Sequence, residues 1–157
     1  MAFAIPPIAV KFLEREEGVI LHVYLDQGGH PTGGMGHLNP GLPVGTPIPQ
    51  TQADEWAASD MQTAAKELCN AVGSEMYSKF NTYQLSALLS FVFNEGEVST
   101  WTIWADIKAG NLADVPNQLE RFIYVGGKPS NGLRNRRLAE INLWKGLDPL
   151  CKLYPVT

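Results

Sequence analysis

Ile5, Ile8, Ala9, Phe12 and Leu13 recur at the spacing of one helix face, with Pro6 and Pro7 where a first turn tolerates proline. This pattern predicts a helix running to about Glu17 and ended by Gly18. Leu21, Val23 and Leu25 then alternate with His22, Tyr24 and Asp26, the period of a short strand with two unlike faces. Gly28-Gly29 turns the chain, and Thr32 to Leu38 is predicted to return as a second strand. Residues 39–50, with four prolines, read as a loop or linker leaving a small N-terminal lobe.

Beyond it the period becomes helical. Thr51, with Asp54 three residues on, is expected to open a helix over 51–71 that bridges two lobes. Asn81 and Gln84 form a capping pair for a helix over 82–93, which is apolar nearly all round and therefore central. Further helices are predicted at 99–109, 112–123 and 133–145. The expected architecture is α+β: a small N-terminal lobe with a short antiparallel hairpin, joined by a long helix to a helical C-terminal lobe. One domain over 1–157 is expected, with the N-terminal lobe at about 12–60. The C-terminal lobe then takes 61–157 together with the N-terminal helix.

Composition narrows the class. At 45% hydrophobic and 18% charged residues, the chain is that of an ordinary globule. No run of 18 apolar residues occurs, and the apolar start is cut by Lys11, so neither stable membrane insertion nor a secretory signal is expected. The net charge of −4 is unevenly spread: residues 1–120 hold 5 basic against 14 acidic side chains, residues 121–157 hold 7 against 2. This argues against a nucleic-acid partner. The basic third either faces an anionic polymer or complements the acidic part internally. Cys69 and Cys151 are read as free thiols, with a disulfide after export left open.

The candidate chemistry gathers at Glu17, Asp26 and Thr32. Each sits at an element end, so all three can face the edge where a cleft between lobes opens. Two carboxylates flanking a bond suit glycoside hydrolysis: one, protonated, donates to the leaving oxygen, while the other stays ionised. A hydroxyl beside them can hold the attacking water.

The stretch resembles the phage-type lysozymes, the muramidase endolysins of tailed bacteriophages. Their signature is Glu, eight residues, Asp, five residues, Thr, with Gly directly after the Glu and T-x-G-x-G-H at the end. Here it reads Glu17-Gly18, Asp26, then Thr32-Gly33-Gly34-Met35-Gly36-His37, with Tyr24 and Gly29 also matching. FVFNEG at 91–96 and GLRNRRLAEINLW at 132–144 follow in the family's order. The resemblance implies a lysozyme-like fold and cleavage of the β-1,4 bond between N-acetylmuramic acid and N-acetylglucosamine, with inversion. It casts Glu17 as general acid, Asp26 as base or charge stabiliser and Thr32 as holder of the water. It makes Leu38, Phe93 and Gln118 contacts to the saccharide, Arg136 the ion-pair partner of Glu17, and His37 a structural residue. Pro31 departs from the family's usual aromatic or polar residue there.

No cofactor and no metal are expected. The histidines at 22, 30 and 37 match no zinc motif, which weighs against a zinc amidase. A non-catalytic glycan-binding module need not keep Glu17, Asp26 and Thr32 together. A lytic transglycosylase, or a virion-associated muramidase acting on the same bond, remains as the alternative. The expected partners are peptidoglycan strands and a holin-type permeabilising protein. The enzyme is expected to be a monomer made in the host cytoplasm without a signal peptide and acting in the periplasm or cell wall.

Overall fold

The computed structural model describes residues 2–97 and 99–156. Helix α1 (Pro7–Glu17) begins with proline in its first turn and ends at Gly18, whose φ of 69° few other residues adopt and whose N–H closes on the Glu14 carbonyl. It buries Ile8, Ala9, Phe12 and Leu13, the stripe expected from periodicity. Strands β1 (Ile20–Leu25), β2 (Pro31–Gly34) and β3 (His37–Leu38) follow as an antiparallel sheet in sequential order.

Two expectations about the small lobe need correction. The returning strand over Thr32–Leu38 is two strands, because the chain turns at Met35-Gly36, where Gly36 takes a φ of 75°. Residues 39–50 are not a free linker. Val23 donates to the Thr46 carbonyl, Gly45 to Val23 and Ile48 to Leu21, at 2.8–2.9 Å, so this proline-rich segment is laid along the outer edge of β1. That covers a sheet edge without a regular strand.

Helix α2 (Gln50–Val72) carries the chain out of the small lobe. It starts after Pro49 with no side-chain cap, so Thr51 does not open it as expected. Helix α3 (Ser74–Lys79) is a short turn that the sequence pattern missed. Helix α4 (Thr82–Glu95) opens with the expected capping box: Asn81 accepts from the Gln84 N–H, and Gln84 accepts from the Asn81 N–H. Every residue from Ser86 to Val92 is buried, and α1 and α2 pack against it.

The predicted helix over 99–109 is α5 (Thr102–Lys108), and part of that prediction borders Val98, which lies outside the described residues. The predicted helix over 112–123 splits into a 3-10 turn (Leu112–Asp114) and α6 (Val115–Leu119). A two-stranded hairpin, β4 (Tyr124–Val125) with β5 (Lys128–Pro129), precedes α7 (Asn131–Trp144), which packs along α4. Helix α8 (Leu150–Leu153) closes the chain. Asp148 just before it accepts a bidentate pair from Arg15 at 3.0 and 2.7 Å, fixing the C-terminal segment to α1.

Candidate active site

Glu17 is the last residue of α1, and its carboxylate meets α7. Arg136 Nη1 donates to Glu17 Oε1 at 2.6 Å, with the guanidinium 8% and the carboxylate 19% exposed. The other oxygen, Oε2, faces the β2–β3 turn. A Cβ added at Gly36 would stand 3.1 Å from it, so the turn approaches the carboxylate as closely as a backbone can.

Asp26 lies just beyond the end of β1, in the bend leading to β2. Its Oδ1 accepts the backbone N–H groups of Gly28 at 2.9 Å and His30 at 2.8 Å, and the His30 ring lies 3.3 Å away. The His30 N–H above all, with that of Gly28 and the imidazole, holds this carboxyl below the ordinary Asp range despite an opposing effect of burial larger than that of the Gly28 N–H. Among the described residues Oδ2 has no protein partner, and it is the oxygen left for chemistry.

Thr32 is 2% exposed and pairs with Tyr24 across β1 and β2. Its hydroxyl donates to the His30 carbonyl at 2.9 Å, so its oxygen remains free to accept from a water. Tyr24 links the set. Burial chiefly, then the charges of Glu17 and of Asp26, push its phenol up, which means that one hydroxyl feels both carboxylates.

Next to Gly36 opens a groove of about 420 Å³ between the small sheet, α2 and the end of α4. Leu38, 55% exposed, and Phe93 both line it. His37 also lines it, stacked on Trp56 with centroids 4.6 Å apart and Nδ1 2.8 Å from Asp60 Oδ2. Gly33, which pairs with His37 across β2 and β3, stands where a Cβ would come within 2.3 Å of Ile48 Cδ1 and force that side chain to shift.

A model of the phage lysozyme family matches residues 14–140, most of the chain. The chain belongs to the phage lysozyme family. Membership places it among the muramidase-type glycoside hydrolases. It is 30% identical to the SAR-endolysin of Bacteriophage PS119 over 134 residues, 82% of this chain and 77% of that protein. It is 36% identical to the SAR-endolysin of Escherichia phage Mu over 72 residues, a match that spans only 42% of the Mu protein. The endolysin of Escherichia coli O157:H7 phage FAHEc1 superposes with a TM-score of 0.76 at 25% identity, over 90% of this chain and 93% of that one.

The resemblance casts Gln118 as a saccharide contact. Gln118 is absent from the groove lining, and its carboxamide is fully occupied: Oε1 accepts from Thr102 and Arg121, and Nε2 donates to Asp106 and Asp114. It pins α5, the 3-10 turn and α6 together.

Sequence reasoning missed the charged cluster behind Glu17. Glu140, fully buried on α7, accepts from the Ser90 hydroxyl at 2.6 Å and from Arg136 Nε at 3.4 Å. Arg137 Nε lies 2.8 Å from Glu140 Oε1 outside hydrogen-bonding alignment, an ionic contact. Burial pushes the Glu140 carboxyl up and the Arg137 guanidinium down. The signal was available as R-R-x-x-E, since residues three and four apart share a helix face.

Among the described residues no group of three metal-ligating side chains converges. His22 bridges to Pro47, His30 lies beside Asp26, and His37 pairs with Asp60.

Proposed function

We propose that this phage lysozyme family member hydrolyses the β-1,4 bond between N-acetylmuramic acid and N-acetylglucosamine in peptidoglycan, with inversion, for host cell lysis. The observation that supports the reading is the Glu17 carboxylate, held by Arg136 and lying against Gly36, where the groove lined by Leu38 and Phe93 begins.

Glu17 donates its proton to the glycosidic oxygen as the bond from that oxygen to the muramic acid C1 breaks. A water accepted by Thr32 attacks C1 from the opposite face, and its proton passes to Asp26 Oδ2. The backbone bonds that keep Asp26 ionised suit it to that task. Inversion needs room for the water, and so carboxyl groups roughly 6.5–9.5 Å apart. No helix among the described residues is long and apolar enough to cross a membrane. The reading also includes a holin-type partner that opens the way from the cytoplasm to the wall, and a monomeric enzyme.

Mass spectrometry of the muropeptides released from purified sacculi tests this directly. Reducing N-acetylmuramic acid ends are expected. 1,6-Anhydro ends would assign a lytic transglycosylase, and free stem peptides an amidase. Glu17→Gln is expected to lower the rate by about 10²–10⁴-fold, and full activity in that variant would remove Glu17 from the role of acid.

A further inference from the structure

The buried charges of α7 form a fork rather than a simple ion pair. Glu140 sits at its base, fully buried: Oε2 accepts from Arg136 Nε and Arg137 Nη2, each at 3.4 Å, and Oε1 lies 2.8 Å from Arg137 Nε. One prong is Arg136, which also reaches the Ser90 carbonyl and hydroxyl at 3.2 Å and ends on Glu17 Oε1. The other prong is Arg137, whose Nη1 donates to Glu95 at 3.2 Å and whose Nη2 donates to Asn94. Glu95 and Asn94 line the groove, while Arg136 holds the carboxylate at its end. The Phe91 ring lies 5.2 Å from the Arg137 guanidinium carbon.

From this geometry we infer that Glu140 is a positioning residue for the glycosidase reaction, setting the acid and the saccharide groove in one register through Arg136 and Arg137. The inference rests on the assignment of Glu17 as the acid. A carboxylate with no solvent contact is costly to bury, and a neutral apolar side chain would fill the same space more cheaply. Its position is explained by what it orients. With Nε against Glu140, Arg136 can present only its far end to Glu17, so that carboxylate is anchored by one oxygen and keeps Oε2 toward Gly36. Without Glu140, two adjacent cations share the remaining carboxylates. Arg136 is then free to engage both oxygens of Glu17, which opposes the protonated form that the first step needs. Arg137 loses its fixed aim at Asn94 and Glu95.

Four charged or titratable groups bear on the outcome. Arg136 from α7 and Tyr24 from β1 face Glu17; Arg137 on the same helix and Glu95 from α4 lie on the far side of Glu140.

The test compares Glu140→Gln, Glu140→Asp and Ser90→Ala with the parent enzyme on soluble peptidoglycan fragments, well below each variant's melting temperature. Glu140→Gln is expected to lower kcat by about 10-fold or more, to raise KM, and to move the alkaline limb of the pH–rate profile to lower pH. Glu140→Asp keeps the charge and is expected to restore the position of that limb while recovering only part of kcat. Ser90→Ala removes the hydroxyl between Glu140 and Arg136, and is expected to lower kcat severalfold without unfolding the chain. A folded Glu140→Gln with the parent's kcat, KM and pH profile overturns the inference. If Glu140→Gln does not fold, an unchanged kcat and profile in Ser90→Ala overturns it instead. Retained activity in Glu17→Gln would instead sink the underlying assignment, whatever the Glu140 variants do.

Discussion

Asp26 takes its hydrogen bonds from backbone two and four residues along the chain, whereas Glu17 takes its own from Arg136, 119 positions away. The first arrangement is built by one hairpin and needs little else. The second exists only when α1, α4 and α7 have packed together, because the arginine that makes it is itself held by Ser90 and Glu140. Two carboxylates of one site are thus stabilised on different length scales, and they should fail differently.

The largest expected effect separates their roles. Asp26→Asn should lower hydrolysis by about 10²-fold or more while leaving thermal stability near the parent's, since an Asn side-chain oxygen still accepts the two N–H bonds. Arg136→Met should do the reverse in proportion. It leaves Glu140 buried with one partner fewer, at a cost of about 3–5 kcal/mol in unfolding free energy. Chemical denaturation and initial rates on both variants would break the comparison if Asp26→Asn proved the less stable of the two.

A smaller effect tests the point where the two systems touch. Gly36→Ala forces a Cβ onto a φ of 75° and to within 3.1 Å of Glu17 Oε2. The left-handed backbone alone costs about 1–2 kcal/mol. The rate should fall further than this loss of stability explains, because Glu17 must move aside. An Ala variant with parental kcat would show that the turn does not set the position of the carboxylate.

The smallest effect concerns pH. Because the folded state holds the Asp26 carboxyl below its ordinary value, the stabilisation is present above the ordinary Asp range and is lost as pH falls through the lowered value. His30→Ala removes the imidazole but keeps both N–H donors. The Asp26 titration should therefore rise only slightly, still below ordinary, as followed by NMR of the carboxyl carbon. A return to the ordinary value would transfer the effect from backbone to ring.

The same division explains what could be read from the sequence. The end of α1 at Gly18 and the capping box at Asn81 and Gln84 depend on spacing within a few residues, and periodicity exposes them. The stitching of residues 39–50 onto β1 does not, because its hydrogen bonds come from a stretch with no strand pattern. Helix α7 misleads for a sharper reason. Its charged residues Arg136, Arg137 and Glu140 are buried while Leu138 is 49% exposed, so the rule that charge marks the solvent face points the wrong way.

The contact between Glu17 and Arg136 also has a temporal meaning. A ribosome finishes the hairpin bearing Asp26 and Thr32 about a hundred residues before it reaches α7, and contacts of such sequence separation close late. A growing chain therefore carries every residue of its signature motif while the acid still lacks its anchor. Completion of the site waits for the last quarter of the polypeptide, so a chain cut short before residue 131 would hold the reactive groups without the arginine that sets them.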